Sequence, residues 1–182
     1  MSRRMISAPS LPTMLRPSEA GRLMSVSTRT IQHLFDSGKL LGDRIGGNER
    51  RVYRSSVVRW LRENGVTLDR IHHSILCDVF LVGCPESLPK ALDSLLDPDD
   101  FRVCSFRPGD KLMVKRSPMA LVSCAGSVTR DEWDKMLESW PELTYSAVIR
   151  SEDGSGAIWS ADDVFDSSVS HFLIASRLRR LV

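Results

Sequence analysis

Residues 15–61 constrain the fold most, because they fit two short helices, a glycine-rich hairpin and a third helix in that order. Pro17 suits the first turn of a helix, where a backbone N–H has no intrahelical partner in any case. Ala20, Leu23 and Met24 recur at helical spacing, which predicts one apolar helix face. The short run 25–27 predicts a tight turn before the second helix.

The second helix is predicted to begin after Ser27, whose side chain can accept a hydrogen bond from an unpaired backbone N–H. Gly38 follows its last turn, where a left-handed residue is common. Three apolar residues form its predicted inward face, namely Ile31, Leu34 and Phe35.

The outward face of this helix carries side chains that can recognise DNA. Arginine forms bidentate hydrogen bonds with guanine, and glutamine does so with adenine. Hydroxyl groups at a helix N-terminus can bind phosphate together with backbone N–H groups. The candidate DNA-binding residues here are Ser27, Thr28, Arg29, Thr30, Gln32 and His33. The same residues also fit a helix face that is merely solvated, so this helix alone leaves both interpretations open.

Two predicted strands, 39–45 and 51–53, flank Gly46-Gly47-Asn48, which can supply the positive φ angles of a hairpin tip. Arginines around such a tip, beside two helices, are suited to gripping the phosphate backbone or the minor groove. The candidate DNA-binding residues of the hairpin are Arg44, Gly46, Gly47, Asn48, Arg50 and Arg51. A last helix starting at Ser55 or Ser56 is predicted to pack back onto the first two.

The order and spacing of these elements resemble the MerR-like, excisionase-type winged helix-turn-helix. The matching residues are Ser18-Glu19-Ala20, Leu23, Val26-Ser27, Arg29-Thr30-Ile31, Leu34, Ser37-Gly38-Lys39-Leu40, Arg44-Ile45-Gly46, Arg51-Val52-Tyr53, Val57 and Trp60-Leu61. The resemblance implies that the second helix enters the major groove and that the hairpin, or wing, contacts the DNA backbone. It assigns these roles to Ser27–His33 and to Arg44–Arg51. One departure is Tyr53-Arg54, where many relatives begin the last helix with a proline-containing sequence.

Charge divides the chain into a basic and an acidic part. Residues 1–73 carry 13 lysines and arginines against 6 acidic residues, whereas residues 74–182 carry 12 against 17. A basic module is suited to a polyanionic partner. The predicted organisation is a flexible tail at 1–14, a DNA-binding domain at 15–64, a linker at 65–73 and a second domain at 74–182.

The second domain alternates apolar, strand-like runs with helical patterns. Strands are predicted from SILCDVFLVGC, FRVCSF, PMALVSCAG and LTYSAVI, and helices from PESLPKALDSLL and TRDEWDKMLESW. Thr129 and Glu132 have the spacing of a capping box at the start of the second of these helices. A final amphipathic helix is predicted over 162–181. This alternation predicts a mostly parallel sheet with helices on both faces, and hence an α/β fold overall.

The order of these elements resembles the flavodoxin-like receiver domain of response regulators. The resemblance implies a phosphorylated aspartate at the end of the third strand, a magnesium-binding acidic pair after the first and a hydroxyl residue after the fourth. The sequence has Ser123-Cys124-Ala125-Gly126, Val82-Gly83-Cys84-Pro85 and Val148-Ile149-Arg150 at those places. Because a phosphoryl site needs clustered carboxylates to hold its metal ion, we predict a degenerate receiver that is not phosphorylated. It is suited instead to dimerisation, partner docking or ligand sensing.

Signals for metals, cofactors and catalysis are weak. The four cysteines form no CxxC pair and lie in or beside apolar strands, so they are interpreted as reduced core residues. The sequence contains no GxGxxG or Walker A motif and no catalytic constellation. We therefore expect no cofactor, no metal and no enzymatic activity. No apolar run approaches the roughly 20 residues of a membrane span.

Two functions fit these patterns. The first is a cytoplasmic, nucleoid-associated transcriptional regulator that binds double-stranded DNA and forms a homodimer through its second domain. The second is an excisionase-like architectural protein that bends DNA for a recombinase. The size of the second domain favours the regulator.

The predicted dimer seam is the apolar side of the final helix. Its apolar residues are Phe165, Val169, Phe172, Leu173, Leu178 and Leu181, flanked by Arg177, Arg179 and Arg180. The alternative is that all these apolar residues pack into their own domain.

Overall fold

The computed structural model describes residues 13–67, 70–71, 75–110, 118–141, 143–150 and 160–182. The chain forms two compact units, and the division falls between Leu76 and Cys77. Within the described residues, no helix is both long and apolar enough to cross a membrane. Most of the predicted tail, residues 1–12, lies outside this described part of the chain.

The first unit contains the two helices, the hairpin and the third helix in the order that the sequence predicts. Its elements are β1 (Met14–Leu15), α1 (Pro17–Met24), α2 (Thr28–Asp36), β2 (Gly42–Ile45), β3 (Glu49–Tyr53) and α3 (Arg54–Glu63). The strands form an antiparallel sheet in the order β1-β3-β2. Ser27 caps α2 as predicted, because its Oγ accepts a hydrogen bond from the backbone N–H of Thr30 at 3.1 Å.

Two boundaries of the first unit differ from the sequence prediction. Met14, which was expected in a flexible tail, pairs with Tyr53 in the sheet. The third helix begins at Arg54 rather than at a serine. The hydroxyl group of Ser56 instead accepts a hydrogen bond from the backbone N–H of Leu41 at 2.8 Å. This serine therefore ties α3 to the start of the hairpin and does not cap the helix.

The hairpin depends on a close approach between its strands at Gly42. A Cβ atom at this residue would lie 1.9 Å from the carbonyl oxygen of Arg51. The first strand of the hairpin, β2, begins at Gly42 and not at Lys39, where the sequence pattern predicts its start. At the tip, Gly46 and Gly47 have φ angles of 58° and 93°, the positive values that the glycine-rich sequence predicts.

Residues after α3 contribute to the core of the first unit. Ile71, which lies in the predicted linker, is buried in one apolar cluster with Ile75 and Leu76. Arg54 is itself buried and donates from Nη1 to the carbonyl oxygen of Ile75 at 2.9 Å. The compact unit therefore extends beyond the predicted range 15–64, because apolar side chains that follow α3 complete its core.

The second unit is built on a sheet of five parallel strands. Its elements are β4 (Cys77–Val82), α4 (Ser87–Leu95), β5 (Phe101–Phe106), β6 (Ala120–Cys124), α5 (Arg130–Ser139), β7 (Tyr145–Ile149), β8 (Asp163–Phe165) and α6 (His171–Leu178), followed by a 3-10 turn at Arg179–Leu181. The strands lie in the order β5-β4-β6-β7-β8. This is the strand order of a flavodoxin-like fold, so the predicted α/β class and parallel sheet are confirmed.

Both faces of this sheet are covered. Trp133 of α5 is fully buried in a cluster with Phe80, Leu121 and Val148 on one face. Because side chains alternate along a strand, Val122 points to the opposite face, and it is also fully buried. The helices α4 and α6 contact each other. The sheet thus has a core on each side, as a buried parallel sheet requires.

The helix predicted over 162–181 is wrong in its first half. Asp163–Phe165 form the edge strand β8, and α6 begins only at His171. The Oδ2 atom of Asp162 accepts hydrogen bonds from the backbone N–H and the hydroxyl group of Ser146, at 2.7 and 2.9 Å. These long-range bonds hold the segment against β7, and its local sequence does not reveal them.

This change divides the apolar residues of the predicted dimer seam. Phe165 and Leu178 are buried within the second unit. Phe172 and Leu173 of α6 remain 60% and 45% exposed. The seam as a single helical stripe is therefore wrong, and of its six apolar residues only Phe172 and Leu173, in the first turn of α6, are exposed.

A buried ion pair joins the first two strands of the parallel sheet. Asp78 of β4 and Arg102 of β5 are register partners. The Nε atom of Arg102 donates to Oδ1 of Asp78 at 2.6 Å, and the two side chains are only 4% and 2% exposed. Charged groups at this depth are stable only when a partner of opposite charge compensates them.

We predict that Arg102→Ala lowers the free energy of unfolding by about 3–5 kcal/mol, because it leaves the Asp78 carboxylate buried without this cation. Chemical denaturation of the full chain measures the change. The matched control is Arg130→Ala, which breaks an exposed pair with Asp134 at 3.6 Å. The control substitution should lower the free energy of unfolding by no more than about 0.5 kcal/mol. If the two variants lose the same free energy of unfolding, the assignment of Asp78 and Arg102 as a stabilising buried ion pair is wrong.

Candidate nucleic-acid interface

The outward face of α2 is organised by the cap at its start. The hydroxyl oxygens of Ser27 and Thr30 lie 2.8 Å apart and share a hydrogen bond. Both side chains are predicted to bind phosphate, and in the structure their hydroxyl groups are hydrogen-bonded to each other. The other predicted residues of this helix are reachable from solvent: Thr28, Arg29 and His33 are exposed and Gln32 is half-buried.

Asp36, the last residue of α2, binds two arginines of the hairpin. Its Oδ1 accepts hydrogen bonds from Nη2 of Arg44 at 2.7 Å and from Nε of Arg50 at 3.0 Å. Its Oδ2 accepts from Nη2 of Arg50 at 2.8 Å, so the Arg50 contact is bidentate. Arg44 also donates to the side chain of Asn48 and lies 5.6 Å from the ring centroid of Phe35. We call Asp36, Arg44 and Arg50 the Asp36 clamp.

Electrostatics favour the charged form of this clamp. The hydrogen bond from Arg50 lowers the pKa of Asp36; desolvation opposes this shift, and the positive charges of Arg50, Arg44 and His33 support it. The same hydrogen bond raises the pKa of Arg50. Both partners are therefore ionised at neutral pH, and the clamp is intact there.

The sequence predicted phosphate contacts for the hairpin arginines but missed their acidic partners. Arg51 also has one, since its Nη2 atom lies 2.9 Å from Oε1 of Glu49. The sequence position of Asp36, in the last turn of α2, could have indicated an ion pair with one of these arginines. The last turn of a helix favours cations, so a carboxylate there indicates a positive group nearby.

A shallow cleft of about 250 Å³ lies between the N-terminus of α1, the side of α2 and the hairpin tip. Its lining residues are Arg16, Pro17, Ser18, Thr28, Gln32, Asn48, Glu49 and Arg50. Four of these were predicted from the sequence, and Arg16 is an addition. The other eight predicted residues do not line it, namely Ser27, Arg29, Thr30, His33, Arg44, Gly46, Gly47 and Arg51. A larger, mainly apolar hollow of about 780 Å³ beside α1 shares no residue with the predicted site.

The carboxyl ends of the parallel strands form a second concave region, in the second unit. The strands β4, β6 and β7 end at Val82, Cys124 and Ile149, whereas the predicted strand runs end at Cys84, Gly126 and Ile149. A cavity of about 170 Å³ here is lined by Pro85, Leu88, Cys124, Ile149, Arg150, Ser167, Val169, His171 and Ile174. None of these lining residues is a carboxylate. Among the described residues, no group of three or more His, Cys, Asp or Glu side chains could hold a metal ion.

Comparison with known proteins gives partial matches in structure alone. No protein-family model matches the sequence, and no curated protein is significantly similar to it. The BeF3-activated receiver domain of DrrB is 16% identical, with a TM-score of 0.47, over 58% of this chain and 97% of that one. A response regulator from Thermotoga maritima is 14% identical, with a TM-score of 0.43, over 57% of this chain and 95% of that one. The fold of the second unit is assigned from its strand order.

We predict that Asp36 titrates below its ordinary pKa of 3.8, as the direction of its shift requires. A carboxyl group with a lowered pKa stabilises the folded state above the unfolded value and loses that effect as the pH falls through the folded value. The clamp should therefore persist at pH 4 and open only in stronger acid. NMR titration of the Asp36 carboxyl carbon and of the Arg50 Nε–H signal measures both events.

The matched substitutions for this test are Asp36→Asn and Asp43→Asn. Asp43 accepts a hydrogen bond from the hydroxyl group of Tyr53 at 2.6 Å and does not belong to the clamp. Only Asp36→Asn should shift the Arg50 Nε–H signal at neutral pH. A carboxyl pKa at or above the ordinary value, or equal shifts in both variants, would show that the clamp does not form in solution.

Proposed function

We propose that this protein is a sequence-specific transcriptional regulator that binds double-stranded DNA at the nucleoid through a winged helix-turn-helix in its first unit. The observation that carries the proposal is the cleft beside α2. There, hydrogen-bonding side chains from α2 and from the hairpin tip line one surface, with Arg16 at its other wall. Side chains that recognise bases and cations that bind phosphate are both required for specific binding.

In this proposal α2 enters the major groove. Arg29 is exposed, and Gln32 lies one helical turn away on the same side of α2. These two side chains supply the donors and acceptors for guanine and adenine edges. Thr28 lies in the first turn of α2, near the backbone N–H groups that favour an anionic phosphate.

The hairpin is proposed to contact the DNA backbone as a wing. The bonds from Arg50 to Asp36 use Nε and Nη2 of the guanidinium group. The described hydrogen bonds leave Nη1 of Arg50 as a donor for a phosphate oxygen. Because Asp36 already holds the side chain in one conformation, less conformational entropy is lost when DNA binds. The negative charge of Asp36 offsets part of the attraction, so the clamp favours orientation over net charge.

We expect Arg29→Ala and Gln32→Ala to weaken binding to the preferred duplex by about 1–3 kcal/mol each. Both should leave binding to random DNA nearly unchanged, since base contacts are lost rather than phosphate contacts. Titration of the full chain against a duplex selected from a random pool, and against the unselected pool, measures the difference. Arg130→Ala, at an exposed site in the second unit, is the control. Absence of binding at low salt would refute the proposal.

Arg50→Ala should act differently because it removes a proposed phosphate contact. It should weaken binding to selected and random DNA alike and reduce the slope of log affinity against log salt by about one. Mapping the bound sites across a genome then tests the regulatory role. Many sites at promoters support a regulator, and a single attachment site of a recombination system contradicts it.

The second unit is proposed to be a receiver-like domain that works without aspartyl phosphorylation. Its strand order supports the likeness to receiver domains. The residues that follow three of the strands support the proposed lack of a phosphorylation site. Gly83 follows β4, Ala125 follows β6 and Arg150 follows β7. No carboxylate stands at these positions to accept a phosphoryl group or hold magnesium. Dimerisation, partner docking or ligand sensing remain as roles.

A homodimer through α6 is the role that we propose first. Phe172 and Leu173 form an exposed apolar pair on a helix whose residues Ile174, Ala175 and Leu178 are buried. A single winged helix-turn-helix contacts few base pairs, so two copies would provide the needed specificity. The flanking arginines are less suited to joining copies, because Arg177 pairs with Asp163 at 3.5 Å and Arg179 donates to the carbonyl oxygen of Leu95.

We predict that Phe172→Asp converts a dimer into a monomer without unfolding the protein, since its side chain is 60% exposed. Light scattering of the full chain at tens of micromolar, with circular dichroism as a folding check, measures both properties. The control is Leu41→Asp, a comparably exposed apolar position at 52% in the first unit. If the unsubstituted chain is a monomer, or if Leu41→Asp dissociates it equally, this dimer is excluded.

A further inference from the structure

Two cysteines meet at the carboxyl edge of the parallel sheet, where the receiver pattern would place carboxylates. Val82 of β4 and Ser123 of β6 are register partners on adjacent strands. Cys84 and Cys124 follow shortly after them in the chain. The thiol of Cys84 lies across the strand ends, because its Sγ is 3.6 Å from the carbonyl oxygen of Val122 on β6.

The turn before Cys84 holds this arrangement in place. Gly83 has a φ angle of 65°, a left-handed value that turns the chain immediately after β4. A Cβ atom on Gly83 would lie 2.5 Å from Cβ of Ser127, which belongs to the loop after β6. The two loops are therefore packed against each other, and the position of Cys84 over β6 is part of the fold.

The two sulfur atoms differ in their readiness to ionise. The hydrogen bond between the two thiols raises the pKa of Cys84, and burial adds to this shift. The same hydrogen bond lowers the pKa of Cys124, which burial opposes. The thiolate is the reactive form of a cysteine, and the direction of these shifts agrees with the position of Cys124 in the lining of a cavity.

Cys124 is also the thiol with access to a cavity. The pocket of about 170 Å³ at this edge is lined by Cys124 together with Arg150, Ser167 and His171. Both cysteines are half-buried, whereas Cys77 is fully buried. The cavity is large enough for a few heavy atoms, and Arg150, Ser167 and His171 place polar groups among its otherwise apolar lining, where a small oxidant can bind.

We propose that Cys84 and Cys124 form a redox-active dithiol that small hydroperoxides oxidise to a disulfide. The Cys124 thiolate attacks the terminal peroxide oxygen, the O–O bond breaks, and water or an alcohol leaves after taking up a proton. Cys124 is then a sulfenic acid. The sulfur of Cys84 attacks the Cys124 sulfur, the S–O bond breaks, and water leaves with the thiol proton. Two electrons pass from the sulfurs to the peroxide, and a dithiol reductant reverses the change.

The test treats the reduced full chain with one equivalent of hydrogen peroxide under nondenaturing conditions. Alkylation of the remaining thiols and mass spectrometry of the peptides follow. The expected product is a monomer whose mass falls by about 2 Da through loss of two hydrogens, with one cross-linked peptide pair that joins residues 84 and 124. Added dithiothreitol should restore both thiols.

Three variants separate this proposal from nonspecific oxidation. Cys84→Ser should accumulate a sulfenic acid at Cys124 that dimedone traps, and Cys124→Ser should leave Cys84 alkylatable. Cys104→Ser, at another half-buried cysteine, should form the disulfide at the unsubstituted rate. The proposal is overturned if both thiols stay alkylatable, if the cross-link involves Cys104, or if it joins two molecules. Each readout is independent of DNA binding, so it stands or falls separately from the proposed function.

Discussion

One carboxylate, that of Asp36 at the end of α2, orients two arginines of the hairpin in the first unit. It holds Arg44 and Arg50 through three hydrogen bonds of 2.7 to 3.0 Å. Arginine side chains carry much rotamer freedom, and ordering them costs free energy when a ligand binds. A carboxylate that orders them in advance removes part of that cost. The same carboxylate lowers the local positive charge, so the surface gains defined geometry at some loss of long-range attraction.

Opposite charges serve a different purpose in the second unit. The pair formed by Asp78 and Arg102 lies inside the sheet, where solvent does not screen it. It joins two neighbouring strands in one register, because a shift of one residue would leave each charge buried beside an apolar side chain. At the other end of the sheet, the strand ends carry thiols and an arginine in place of carboxylates.

Most of the elements could be predicted from the sequence, because their signals are local. Ser27 caps α2, Thr129 and Glu132 form the expected capping box, and glycines occupy the positive φ angles of the hairpin tip. The edge strand β8 could not be predicted. Its residues fit an apolar helical stripe, and the hydrogen bonds between Asp162 and Ser146 form only after the strands have assembled. The contribution of Ile71 to the first core was hidden for the same reason.

The candidate site also has features that the sequence predicts and features that only the tertiary structure reveals. Sequence alone determined which side chains are candidates for contacting DNA, since residue type and helical spacing decide the outward face of α2 and the tip of the hairpin. Only the tertiary structure decided which of these candidates lie together. It brought Thr28, Gln32, Asn48 and Arg50 into one cleft with Arg16, and it gave the hairpin arginines their acidic partners. It also placed Cys84 beside Cys124. Such pairings depend on distances between elements far apart in the chain, and local periodicity carries no information about those distances.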